Sequence, residues 1–289
     1  MAAYVRDESL RAILSIPPSQ LGVGSPIALR IVDTEVDLYH EFAQQMLEIL
    51  EANNAAGRMT KFIVPVGPVG QFRRFAHLCN ARRVSCQSLV LFNMDEYLTD
   101  DDEYIALDDP LSFRATMERE LHGRLDPPLR VPERHKIFPD PKDPDKLGRL
   151  IEQFGGLDAA FGGIGIRGHI AFNEPPEPDE EADVEEFASR TTRCLSLNRE
   201  TAVINAVTSA RGNIDRIPRR AVTIGMKEIL SARRLRFFCQ RTWQPAIIRK
   251  ALHGPVTPRC PASYLQRHPD AMLVITREAA GLPEPEIPM

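Results

Sequence analysis

"SLVLFNMDEY", residues 88–97, is a nearly continuous apolar run that turns polar only at its last residues. Strands of this kind belong to parallel sheets covered on both faces, because a half-exposed strand alternates apolar and polar positions. The same pattern recurs in "KFIVPVG" (61–67) and "LDAAFGGIGIRG" (157–168), each with its glycines after the apolar residues. "PIALRIV" (26–32) and "AMLVIT" (271–276) read as further strands, and "RAVTIGMKEILSA" (220–232) as strand, turn and helix. Between the first two strands lies "EVDLYHEFAQQMLEILEANNAAG" (35–57), where Leu38, Phe42, Met46, Leu47 and Leu50 recur at helical spacing and Gly57 marks the stop. Strand and helix signals in alternation predict an α/β fold: an open, mostly parallel Rossmann-like sheet with helices on both faces, in a single domain. In such sheets ligands bind beyond the C-terminal ends of the strands. "MDEY" (94–97) and "GIRGHIAFNEP" (165–175) are expected at that edge.

The domain is expected to span residues 28–276, with an N-terminal extension (1–27) and a C-terminal tail (277–289); the outermost stretches, about 1–25 and 278–289, read as weakly ordered. "EPPEPDEEADVEE" (174–186) is acidic and Pro-rich, an exposed loop or a lid. No internal repeat is found. The 289 residues are 43% hydrophobic and 26% charged, as in ordinary globular proteins, and the formal net charge of -4 argues against general nucleic-acid binding. Five cysteines (Cys79, Cys86, Cys194, Cys239, Cys260) are scattered without CxxC spacing and read as reduced thiols. The first residues, "MAAYVRDESLRAILS", carry charges inside their apolar stretch and do not read as a signal peptide. No apolar run approaches the roughly 20 residues that span a bilayer. The expectation is a soluble, cytoplasmic protein that binds neither nucleic acid nor membrane.

Three residues carry candidate chemistry. Asp95 follows an apolar strand, where partial screening from water raises a carboxyl pKa towards the range a general base needs. An Asp at such a place also serves as a cap for the next turn, and both readings stand. His169 and Glu174 are five positions apart, beyond a run in which Gly162, Gly163, Gly165 and Gly168 let backbone approach a ligand closely. The spacing is not the HExxH of a zinc protease, and a lone His is equally a satisfied core group.

"LFNMDEYL" (91–98) together with "GGIGIRGHIAFNEP" (162–175) resembles the glucosamine-6-phosphate deaminase (isomerase) family. Supporting stretches follow in the family's order: "VPVGPVGQF" (64–72), "FASRTTRCLSLN" (187–198), "IPRRAVTIGMKEILSARRL" (217–235) and "ALHGPVTPRCPASYLQRHPDAMLVI" (251–275). The resemblance covers roughly residues 28–276. It implies a small sugar or sugar phosphate as ligand, no metal and no cofactor, with assembly into a homo-oligomer left open. Asp95 would move a proton between C2 and C1 of an amino-aldose, giving a ketose and releasing ammonia. His169 and Glu174 would help to open the pyranose ring. A lactone hydrolase of the 6-phosphogluconolactonase kind and a non-catalytic sugar-binding paralogue are the alternatives.

The sequence also departs from the family. Arg167 stands where the family usually has an Asp that orients the His, and an Arg there favours neutral imidazole. The family's phosphate loop reads Gly-Gly-Thr; here the stretch is Gly67, Pro68, Val69. The family's phosphate-binding Arg aligns with Val207 and its Lys with Gln244. Gly67, Pro68, Val69, Arg167, Gly168 and Gln244 are therefore the expected substrate-binding positions. Arg73, Arg74, Lys227 and Arg241 are the cations at hand to replace those lost, each equally readable as a solvated surface charge.

Overall fold

The computed structural model of the chain describes residues 7–67, 70–177 and 179–284. Seven strands form one wholly parallel sheet: β1 (Ala28–Val32), β2 (Thr60–Val64), β3 (Leu89–Asn93), β5 (Lys136–Ile137), β6 (Ala159–Gly162), β9 (Leu235–Cys239) and β10 (Ala271–Thr276). Their order across the sheet is β1-β10-β9-β6-β2-β3-β5. A smaller antiparallel sheet, in the order β4-β8-β7, is made by β4 (Asp95–Leu98), β7 (Arg193–Ser196) and β8 (Arg220–Thr223). The expected α/β architecture is therefore present, with an antiparallel annex that the apolar runs did not announce.

Alternate residues of each central strand enter different cores. Phe62 and Val64, Leu89 and Leu91, and Val274 pack with helices α2 (Glu35–Ala55) and α3 (Gly70–Arg82). Ile63, Val90 and Phe92, with Leu273 and Ile275, face the opposite layer. That layer includes α5 (Asp145–Gln153), α6 (Val184–Ser189), α8 (Met226–Leu230), α9 (Pro245–His253) and α10 (Arg277–Ala280). Period-two side-chain direction thus explains why the strands are apolar throughout. Helix α2 opens with a reciprocal cap between Thr34 and Asp37 and is followed by Gly57 at φ +65°. A third cluster joins Tyr97, Phe172, Ala206 and Ala221, and so packs α7 (Arg199–Ser209) on the small sheet.

Two sequence expectations need correction. "SLVLFNMDEY" is not one strand: the chain leaves the parallel sheet at Met94, whose N–H donates to Val64 O at 3.0 Å and whose carbonyl accepts from Ile224 N at 2.7 Å. Asp95 then opens β4 in the other sheet. The described parts of the chain ends, 7–25 and 278–284, are also better fastened than weak order implies; residues 1–6 and 285–289 of the same expectation lie outside the described residues. Helix α1 (Glu8–Leu14) is capped by Asp7, and both Leu14 and Leu21 are buried. Arg249, wholly buried, donates to Ile16 O at 2.9 Å, Gly281 O at 2.7 Å and Ala280 O at 3.0 Å, so one guanidinium ties the segment after α1 and the end of α10 to α9. The remaining helix, α4 (Phe113–Glu120), follows β4 through a loop. Among the described residues no helix is long and apolar enough to cross a membrane.

Candidate active site

The candidate residues Asp95, His169 and Glu174 follow the C-terminal ends of β3 and β6, where the chain passes from one sheet to the other. Asp95 stands opposite Thr223, and Thr223 opposite Arg193, across the three strands of the small sheet. Directly opposed residues share a face. On that face the Thr223 hydroxyl accepts from Phe172 N at 3.0 Å, and Arg193 Nη1 donates to Asn173 Oδ1 at 2.9 Å. Asn173 Nδ2 in turn donates to Ile170 O at 3.0 Å and Ile224 O at 2.8 Å. The loop that carries His169 and Glu174 is thereby stitched to the sheet that carries Asp95.

Within that loop the glycines have specific tasks. Gly165 N donates to His169 O at 2.9 Å, and a Cβ on Gly165 would overlap the imidazole of His169. Gly168 adopts φ +84°, and Ala171 is held at φ +53°, a left-handed conformation that costs a side-chain-bearing residue about 1 kcal/mol. The result is a buried imidazole whose Nδ1 lies 3.1 Å from Glu174 Oε2 and 3.5 Å from the hydroxyl of Thr201 on α7. The carboxylate that stands at ion-pair distance from His169 is Glu174, and neither of its oxygens makes a hydrogen bond of good geometry. Burial alone would raise the Glu174 pKa; the contact with His169, helped by Thr201 and the charge of Arg167, outweighs it and holds that pKa below the ordinary value.

Asp95 is the opposite case. It is 7% exposed, and burial, reinforced by the neighbouring Glu96, pushes its pKa up to about 8. Glu96 points into the protein and is saturated. It accepts from Tyr97 N, Phe113 N and Arg114 N at 2.9–3.0 Å, from the Ser112 hydroxyl at 3.2 Å, and from Arg114 Nε at 3.1 Å. So of two adjacent carboxyls it is Glu96 that caps α4, and among the described residues the Asp95 side chain makes no capping hydrogen bond. Tyr97, next on the Asp95 face, accepts a hydrogen bond from Asn205 of α7 at 2.9 Å.

The expected ligand-holding positions are distributed differently. Gly67 is exposed at the end of the turn after β2, and Pro68 and Val69 lie outside the described residues. Gln244 is buried at the start of α9 with both amide groups engaged: Nε2 donates to Ile164 O and Oε1 accepts from Arg241 N, each at 2.7 Å. Val207 is 63% exposed on α7. Arg167 Nη1 reaches Glu177 Oε1 at 3.1 Å and Glu200 Oε2 at 3.7 Å, and its Nη2 donates to Pro176 O at 3.2 Å. Of the other cations, Arg73 holds Glu120 through two nitrogens and pulls that carboxyl down to about 2. Arg241 lies 3.8 Å from Glu35, Arg74 is exposed on α3, and Lys227 borders a separate cavity between α5 and α8. Among the described residues no group of three or more His, Cys, Asp or Glu side chains is arranged to hold a metal ion. Thr201, Thr223 and Asn205 escaped the sequence reading, since single polar residues on a helix or a strand have no spacing to betray them; Asn173 stood inside the quoted motif with no role assigned to it.

No family model matches the chain. It is 32% identical over 221 residues to glucosamine-6-phosphate deaminase 1 of Bacillus subtilis (strain 168), covering 74% of this chain and 83% of that protein. It is 33% identical over 206 residues to glucosamine-6-phosphate deaminase of Rhodopirellula baltica, covering 70% and 75%. A solved monomeric glucosamine-6-phosphate deaminase superposes with a TM-score of 0.75 at 25% identity, over 88% of this chain and 99% of that one. The solved 6-phosphogluconolactonase from Trypanosoma cruzi shares the fold at a TM-score of 0.62 and 15% identity, over 88% and 96%. By the identity and reach of these curated relatives, the chain belongs to the glucosamine-6-phosphate deaminase family.

Proposed function

We propose that this protein is an aldose–ketose isomerase and deaminase acting on an amino-sugar phosphate. The observation that carries the reading is the joining of Asp95 to the His169–Glu174 pair through Thr223 and Asn173. The reaction needs a proton donor at the ring oxygen and a base that serves two adjacent carbons. His169, with Glu174 at ion-pair distance, supplies the first when the ring opens. Asp95 then takes the C2 proton of the open 2-amino-aldehyde and returns it to C1. As O1 gains the proton that the amino group gives up, the product of that transfer is a 1-hydroxy-2-imine at the oxidation level of the ketose; water then adds at C2 and ammonia leaves. A base raised to about 8 by burial matches the proton transfer better than an ordinary carboxylate.

The test is ammonia release by the purified protein with glucosamine 6-phosphate, beside unphosphorylated glucosamine and an Asp95→Asn control. Turnover of the phosphorylated sugar that is lost in the control supports the reading. Ammonia released equally by the control overturns the role of Asp95. Hydrolysis of a sugar lactone without ammonia, or thermal stabilisation by sugar phosphates with no turnover of any, overturns the deaminase reading in favour of the lactonase or the non-catalytic alternative.

A further inference from the structure

We propose that Arg167 is a positioning residue that clamps the start of helix α7 to the segment after Glu174, and so fixes the surroundings of the His169–Glu174 pair. The guanidinium is mostly buried, with 18% of its side chain exposed, while Glu177 and Glu200 are about half exposed. It ties together three points from two elements: Glu177 Oε1 and Pro176 O on the loop, and Glu200 Oε2 on the first turn of α7. A parallel tie runs beside it, since Asn198, which precedes α7, donates from Nδ2 to Pro175 O at 3.4 Å.

The consequence for the site is direct. Thr201, next to Glu200, places its hydroxyl against His169 Nδ1, and Asn205, one turn on, holds Tyr97 on the Asp95 face. Displacement of the first turn of α7 therefore disturbs both halves of the acid–base machinery. The clamp also places a positive charge near Glu174, in keeping with that group remaining an anion. This inference deepens the proposed function and rests on the reading of His169 and Glu174 as the working pair, but the placement of α7 is measurable without any substrate.

The experiment is hydrogen exchange of the full chain by mass spectrometry, comparing residues 199–209 with residues 35–55, together with kinetics on glucosamine 6-phosphate. Arg167→Gln is expected to speed exchange across α7 by about fivefold, the scale of an ion pair near the surface, and to leave α2 unchanged. Arg167→Lys should restore most of the protection. Glu200→Gln should reproduce part of the loss, and the double variant should be no worse than Arg167→Gln alone. In the kinetics, Arg167→Gln should lower kcat/KM by a similar factor, with partial recovery in the Lys variant. Unchanged exchange in 199–209, equal acceleration in α2, or full additivity of the two substitutions overturns the clamp. Inactivity of the wild-type protein overturns the functional reading instead, and the exchange comparison still decides the clamp.

Discussion

The two ends of the candidate site are built on different principles. At the proposed acid–base end the groups are buried and their backbones are held: Asp95 by its rung with Thr223, His169 by Gly165 with Glu174 and Thr201 beside its ring, and the loop carrying His169 by Asn173 and Arg193. At the expected anion end, Gln244 spends its amide on backbone, Arg73 is committed to Glu120, and Arg241 is 43% exposed beside Glu35. Proton transfer tolerates little displacement, because the base must reach both carbons from one position. Anion binding is supplied by charge at several places and tolerates relocation. The contrast separates chemistry from ligand choice, and substitutions at the two ends should separate kcat from KM.

The largest effect is expected from Asp95→Asn, which keeps the shape and removes the base. Turnover should fall by about 10²–10⁴-fold. The same substitution should affect stability in the opposite direction. The folded-state pKa of Asp95 lies near 8, far above the ordinary carboxyl value of about 3.9, so the folded state retains a proton that the unfolded state has released. Relative stability is therefore fully present below about pH 4 and is lost as the pH rises towards 8. Urea midpoints should show the Asn variant matching the wild type at low pH and exceeding it above pH 8. In the wild type, kcat/KM should rise with pH as Asp95 ionises. A flat profile in both measurements would place Asp95 in a wetter setting than its burial indicates.

Gly165→Ala comes next. Its methyl group occupies the place of the imidazole, so His169 must turn away from Glu174. A misplacement of about 1 Å in a catalytic group costs about 10²-fold. The expected result is a loss of that size in kcat with the fold retained, as circular dichroism would show. Smaller again is Gln244→Lys at the other end. The new ammonium can still donate to Ile164 O while adding a charge for a phosphate, and one charge-assisted hydrogen bond is about 1.5 kcal/mol. KM for the phosphorylated sugar should fall by about tenfold with kcat and the unphosphorylated sugar unaffected. If both sugars respond alike, Gln244 does not face the phosphate.

How far these features were legible in the sequence follows the same division. Strands β2, β3, β6 and β10 declared themselves because burial on both faces leaves an unbroken apolar run. The switch of sheets at Met94 left no mark, since it depends on hydrogen bonds to Val64 and Ile224 rather than on composition. β5 is two residues long and β7 is half-exposed, so neither rises above loop-like sequence, and β9 begins in the arginines of "RRLR" (233–236), which mask it. At the site, the motif residues were visible as a motif. Their partners Thr201 and Thr223 come from positions 32 and 54 residues beyond His169 and were invisible until the fold brought them together. Arg167 was visible as an oddity, but its role depends on Glu177 and Glu200, which look like any other acidic surface residues.

The smallest expected effect tests why Asp95 is tuned as it is. Burial is the first cause of its raised pKa and the adjacent Glu96 carboxylate the second. Glu96→Gln removes that neighbouring charge and leaves the burial, so the rise of kcat/KM with pH should shift to lower pH while kcat at its plateau stays near the wild-type value. The direction follows from charge: the Glu96 carboxylate raises the Asp95 pKa, so its neutralisation lowers it. Glu96 also caps α4 with buried, charge-assisted hydrogen bonds, so the variant should lose about 1–3 kcal/mol of stability in urea titrations. A stability loss with no movement of the pH profile would assign the tuning of Asp95 to desolvation alone. It would also make Glu96 a purely structural member of the acid–base end, which sharpens the division drawn between the two.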